Sequence, residues 1–98
     1  MYHMSRPVST ESKFRALAHA TRRGVIELLL RGERTAGDLA GHFSHSRPVL
    51  SKHLRVLEGA GLIVYQRHGA QLRYRLAPGA FDSVHQWIGK FPRTPASR

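Results

Sequence analysis

At 98 residues the chain has room for one small domain, and it carries 16 Lys and Arg against 6 Asp and Glu, a formal net charge of +10. That balance favours a polyanionic partner, of which nucleic acid is the commonest. The absence of cysteine excludes disulfides, thiolate metal sites and cysteine redox chemistry, and the longest apolar run, in VIELLL, is too short to span a bilayer and contains Glu27.

Residues 1–8 read as a flexible arm, 9–91 as one folded domain and 92–98, Pro-rich and basic, as a disordered tail. No stretch near Met1 has the apolar core of a signal peptide, so a cytoplasmic protein without a membrane partner is expected. A first helix begins at about Ser9, with Phe14, Leu17 and Ala18 on one side. A second begins near Thr21 and presents Val25, Ile26, Leu29 and Leu30 as its apolar side. Arg22 and Arg23 in its first turn oppose the helix dipole, which suggests placement for phosphates or for a neighbouring acid. Gly24 inside this helix costs about 1 kcal/mol relative to Ala, which suggests the close approach of another backbone. Gly32 closes the helix.

The next stretch, TAGDLAGHFSHSRPVLSKHLRVL from Thr35 to Leu57, organises the rest. Ala36, Leu39, Ala40 and Phe43 fall on one face of a short helix, with Thr35 as N-cap and Asp38 completing a capping box. Ser44 and His45 make a turn, and Ser46 caps a further helix in which Pro48 is tolerated because first-turn amides lack an intrahelical acceptor. Leu50, Leu54 and Leu57 face inward in that helix, and Gly59 or Gly61 ends it. The opposite face carries Arg47, Pro48, Ser51, Lys52 and Arg55, with Glu58 at the far end. A buried stripe behind a short cationic face suits a recognition helix in a DNA major groove. His53 stands at the edge of the stripe, where it could equally bond a neighbour and orient the helix.

After Gly61 the period changes to two. Leu62 to Tyr65 read as a largely buried strand, His68-Gly69-Ala70 as a hairpin tip, and Leu72, Tyr74 and Leu76, alternating with Arg73 and Arg75, as a second strand. A last helix from about Ala80 to Lys90 crowds Phe81, Val84, Trp87, Ile88 and Phe91 on one side. Together with Phe14 and Leu17 these exceed what one small domain covers, so a two-fold interface through the first and last helices is expected. The fold class is therefore mainly α with a small β-hairpin, a winged helix-turn-helix of ααααββα type.

Catalysis and metals have little support. Ser51 and His53 are two apart on one helix, so their side chains diverge and cannot pair as nucleophile and base. No phosphate loop or paired acidic motif occurs, and no enzyme or cofactor is expected. His42, His45, His68 and His85 are scattered, whereas zinc needs about four converging ligands.

FRALAHATRRGVIELLLRGERTAGDLAGHF, SRPVLSKHLRVLEGAGLI and RHGAQLRYRL resemble the ArsR/SmtB family of small bacterial repressors over about residues 13 to 90, most specifically from Ser51 to Ile63. The resemblance implies DNA-reading positions at Ser46, Arg47, Pro48, Ser51, Lys52 and His53, and a wing contributing Arg67, His68, Gln71 and Arg73. It also implies a dimer interface on the first and last helices. Many family members carry a C-V-C thiolate motif in the helix before the recognition helix. TAGDLAGHF has none, and Asp82 and His85 do not match the spacing of the family's other site, so the metal-free branch is expected. The expected function is homodimeric, steric repression at a pseudo-palindromic double-stranded DNA operator. The rivals are a His/Asp-based metal-responsive repressor and a sequence-tolerant nucleic-acid-coating protein.

Overall fold

A computed structural model describes residues 8–95, so the arm to Pro7 and the last three residues of the tail lie outside the described residues. Helices α1 (Thr10–Leu17) and α2 (Ala20–Leu30) lead into a short strand β1 (Arg34–Thr35), then α3 (Ala36–Ala40) and α4 (Arg47–Gly59). Strands β2 (Ile63–His68) and β3 (Gln71–Leu76) and helix α5 (Asp82–Ile88) complete the domain. The architecture is the mainly helical winged helix-turn-helix expected, with one addition. Its sheet has three antiparallel strands in the order β1-β3-β2, because Arg34 and Thr35 pair with Tyr74 and Arg73. Two residues are too few for period-two alternation to reveal a strand.

The first four helices each start on a side-chain cap, whereas α5 has none. Ser9 Oγ accepts from the Ser12 amide at 3.2 Å in α1, and His19 Nδ1 accepts from the Thr21 amide at 3.1 Å in α2. Thr35 and Asp38 form the expected capping box, with Asp38 N–H donating to Thr35 Oγ1 at 3.0 Å. Ser46 Oγ accepts from the Val49 amide in α4. Caps of this kind contribute about 1 kcal/mol each.

Arg22 and Arg23 both turn back to main-chain carbonyls at the end of α1. Arg22 Nε donates to the Ala16 carbonyl at 2.7 Å and an Arg23 guanidinium N–H to the Leu17 carbonyl at 2.8 Å. Both cations thus sit at the negative end of the α1 dipole, a favourable place that a reading of α2 alone does not reveal. Gly24 faces a phenyl ring rather than a backbone: a Cβ there would lie 3.0 Å from Phe43 Cε1. Phe43 lies beyond the five residues of α3, in the turn, and its ring reaches back across α2.

Leu50, Leu54 and Leu57 of α4 are buried against Val25, Leu29, Leu39, Leu62 and Ile63. Each such burial stabilises the fold by roughly 1.5–3 kcal/mol. Leu30, expected on the inner side of α2, is instead 75% exposed; Leu28 takes that place against the core. Gly61 rather than Gly59 ends α4. Its φ of +74° lets its N–H reach the Glu58 carbonyl and the Leu62 N–H reach the Leu57 carbonyl, the paired bonds of a Schellman cap. Val8 packs against Gly61, where a Cβ would meet it at 3.0 Å.

The hairpin turns through Gly69, at φ +60°, and Ala70, with His68 opposite Gln71. Tyr65 and Tyr74 face each other across β2 and β3 with ring centroids 5.8 Å apart. The last helix is shorter than its apolar pattern suggests. Ala80 and Phe81 form the turn before it, and 3.1 Å bonds from Lys90 and Phe91 to Trp87 and Ile88 continue it only as turns. Lys13 of α1 donates to the Ala80 carbonyl and ties this end of the chain to the first helix.

Candidate nucleic-acid interface

With Leu50, Leu54 and Leu57 buried, helical geometry of about 100° per residue turns Pro48, Lys52 and Arg55 to the opposite side of α4. All three are exposed. Ser51 and Val49 lie on the two flanks of this face, Ser51 half-buried on the side of the sheet and Val49 exposed on the other. Ser46 is spent as the cap at the start of the helix, and Arg47 is its first residue. Glu58 lies at the far end, on the side of the sheet.

Arg47 does not stand alone. It lines a cleft of about 360 Å³ together with Thr35, Ala36, Gly37, Arg67, Gln71 and Leu72. Two guanidinium-bearing residues thus flank one opening between the start of the recognition helix and the wing. A second groove, about 260 Å³, runs between Ser51, Arg55 and Glu58 of α4 and Tyr65, Leu72 and Tyr74 of the sheet. Burial chiefly, with Glu58 and Tyr65 adding to it, raises the Tyr74 hydroxyl above its ordinary pKa, so it remains a neutral polar group at the groove floor.

The wing residues divide. Arg67, His68 and Gln71 are exposed at the tip, where His68 Nε2 lies 3.0 Å from Gln66 Oε1. Arg73 is in the middle strand, half-buried, with its guanidinium 4.0 Å from Glu33 and its Nε buried without a hydrogen-bond partner. His53 also faces inward from the flank of α4. Its Nδ1 lies 3.4 Å from an Arg22 nitrogen, and its ring is 4.4 Å from that of His19 and 5.6 Å from that of His45. His53 is thus in contact with neighbours from α2, its cap and the turn before α4.

At the other end, Phe14 and Trp87 meet edge to face at 5.4 Å, and Trp87 lies 4.9 Å from Phe91. Trp87, Ile88 and Phe91 are 46%, 52% and 57% exposed, while Phe81 packs on the core and Val84 and Leu17 are partly covered. Among the described residues no group of three or more His, Asp or Glu is arranged to hold a metal ion, and no helix is long and apolar enough to cross a membrane. Asp82 and His85 are both exposed on α5.

Sequence reasoning missed Val49, and it missed the contact of Arg22 and His19 with His53. Val49 was legible in principle, because a core at positions 50, 54 and 57 leaves 49 outside it. The Arg22–His53 contact joins residues 31 apart and leaves no local signal.

The chain matches the family model described as bacterial regulatory protein, arsR family, over residues 19–65. It is 37% identical to the transcriptional repressor SdpR of Bacillus subtilis over 80% of this chain and 87% of that protein. It is 40% identical to a probable mercury resistance operon repressor of Streptomyces lividans, over 80% of this chain and 63% of that protein. A crystal structure of an ArsR family transcriptional regulator superposes with a TM-score of 0.77 at 32% identity, covering 82% of each chain. The homodimeric winged helix-turn-helix DNA-binding domain of a Mycobacterium bovis protein superposes with a TM-score of 0.68 at 26% identity, over 82% of this chain and 77% of that one.

Proposed function

Because this chain belongs to the ArsR family of bacterial regulators, which bind DNA and are not enzymes, we propose that it represses transcription as a homodimer on a pseudo-palindromic operator without a metal effector. The observation that carries the reading is α4, anchored by three buried leucines and turning Pro48, Lys52 and Arg55 outward beside the Arg47–Arg67 cleft. Lys52, Arg55, Ser51 and Val49 enter the major groove, and Val49 meets a thymine methyl, the apolar group that groove displays. Arg47 reaches a guanine edge from the first turn, while Arg67, His68 and Gln71 hold phosphates across the cleft. Arg73, directed at Glu33, serves the sheet rather than the DNA.

Residues 9–91 act as the DNA-binding unit, and Phe14, Leu17, Phe81, Val84, Trp87, Ile88 and Phe91 form or support the two-fold seam. The homodimeric Mycobacterium bovis relative supports that seam, as do the half-exposed aromatics. Two recognition helices then read half-sites about one helical turn apart, and the bound dimer blocks polymerase sterically. The lack of any cysteine supports an effector chemistry other than thiolate–metal binding.

Selection of genomic fragments by the purified protein, followed by footprinting, tests this directly. The expected result is a pseudo-palindrome protected over two adjacent major grooves. Equal affinity for random duplex at physiological salt would leave only a nucleic-acid-coating role. Loss of operator binding on adding zinc, abolished by Asp82→Ala with His85→Ala, would establish the metal-responsive alternative.

A further inference from the structure

The joint between the α1–α2 corner and the recognition helix is built from imidazoles and a guanidinium. His53 of α4 faces Arg22 and His19 from α2 and its cap, and His45 from the turn before α4. Thr21 Oγ1 lies 2.9 Å from His45 Nε2, so the turn is tied to the same corner. The groups facing His53 from these elements are cationic or able to become so.

The contact with Arg22 requires one protonation state of His53. A guanidinium has only N–H donors, so the His53 Nδ1 that lies 3.4 Å from Arg22 must present its lone pair. In that contact the ring is neutral, with its proton on Nε2. His19 Nδ1 is likewise an acceptor, because its partner is the Thr21 backbone N–H. Protonating His53 replaces an N–H···N bond with two opposed N–H groups and places a cation against Arg22. Arg22 also holds the Ala16 and Arg15 carbonyls at the end of α1, the helix whose Phe14 joins the aromatic seam. One side chain thus couples the seam helix to the DNA-reading helix through a contact that only a neutral imidazole can make.

We propose that this joint is a proton-operated release: acidification breaks the Arg22–His53 link, frees the recognition helix from its reading position and lowers affinity for the operator. The inference rests on the DNA-reading role of α4 proposed above. Burial first, then the positive fields of His19, Arg22 and His45, hold His53 below its ordinary value. A depressed value means that the neutral arrangement is fully favoured above about 6.5 and is lost as pH falls through the lower value of the assembled joint. The direction runs against general electrostatics, since acidification adds positive charge and by itself strengthens binding to a polyanion.

Affinity for a selected operator and for random duplex, measured from about pH 8 to about pH 5.5, separates the two effects. The wild type should lose about tenfold on the operator while random duplex binds more tightly. His53→Gln keeps a neutral acceptor for Arg22 and cannot titrate, so its operator affinity should not fall over the same range. An operator affinity that rises for the wild type, or that falls equally in His53→Gln, overturns the proposal. Should His53→Gln fail to fold, the ring-proton NMR titration of His53 in the DNA-free wild type decides: an ordinary or raised midpoint overturns the release, a depressed one supports it. If no operator can be selected, the repressor reading fails by itself. The same titration, with the acid loss of the thermal midpoint in wild type, then judges the joint independently of DNA.

Discussion

The recognition helix and the last helix are both amphipathic, yet they are completed differently. In α4 the apolar stripe is finished inside the chain: Leu50, Leu54 and Leu57 are almost wholly buried, and outside it Val49 and Val56 expose apolar side chains, on one flank of a polar face. In α5 no residue is buried, and Trp87 and Ile88, with Phe91 just beyond, are about half exposed despite their size. The recognition helix borders a core, whereas α5 leaves large apolar side chains at the surface. An apolar stripe alone does not say whether the chain itself or a second copy covers it; the surface left after packing does.

The largest test of this contrast is stability. Leu54→Ala should cost about 2–5 kcal/mol of unfolding free energy, measured by denaturant titration, because the surrounding core cannot close the cavity. Ile88→Ala, on the exposed helix, should cost well under half of that in a protein diluted to monomer. Equal losses would mean that α5 is buried by its own chain after all.

Next comes assembly. Val84→Glu places a charge in the proposed seam and should yield folded monomers by light scattering, with operator affinity lowered by about 2 kcal/mol or more. Random-duplex binding should persist. A wild-type monomer that binds one half-site as tightly as the full palindrome would refute the two-fold mechanism.

The outer face of α4 is tested at single bases. Arg47→Ala should cost about 1–3 kcal/mol on the operator and relax selection at one base pair, whereas Arg67→Ala should weaken all duplexes alike and reduce the salt slope by about one unit. An unchanged selected pattern for Arg47→Ala would move that side chain from base to phosphate, as its place across the cleft from Arg67 would allow.

The smallest effect is the most local. Replacing the contacted thymine by uracil deletes one methyl group and should cost the wild type about 0.8 kcal/mol, the transfer value of one such group. Val49→Ser should be indifferent to that replacement. If both proteins lost equally at every thymine, Val49 would have no part in base reading.

Much of this was legible in the residues because it depends on near neighbours. The capping box of Thr35 and Asp38, the Ser46 cap, the 50/54/57 stripe and a hairpin tip around Gly69 are all set by spacings of a few residues. The helix-turn-helix and the cationic outer face follow from the same periodicity. The family likeness added expected roles for Arg67, His68, Gln71 and Arg73 and agreed with the two-fold interface expected from the excess apolar surface.

What the tertiary structure alone decided involves distance along the chain. Arg22 and Arg23 look misplaced in the first turn of α2 until the carbonyls at the end of α1 are set beside them. Gly24 makes room for a ring from residue 43, β1 exists because β3 comes to lie beside it, and Arg73 comes within 4.0 Å of Glu33. His53 comes to face a guanidinium 31 residues away, a contact in which the imidazole must accept. Periodicity and caps are local free-energy differences that a sequence displays directly. A hydrogen bond between distant side chains exists only after the core has fixed where two helices cross, and that crossing is determined by the packing of all the elements together.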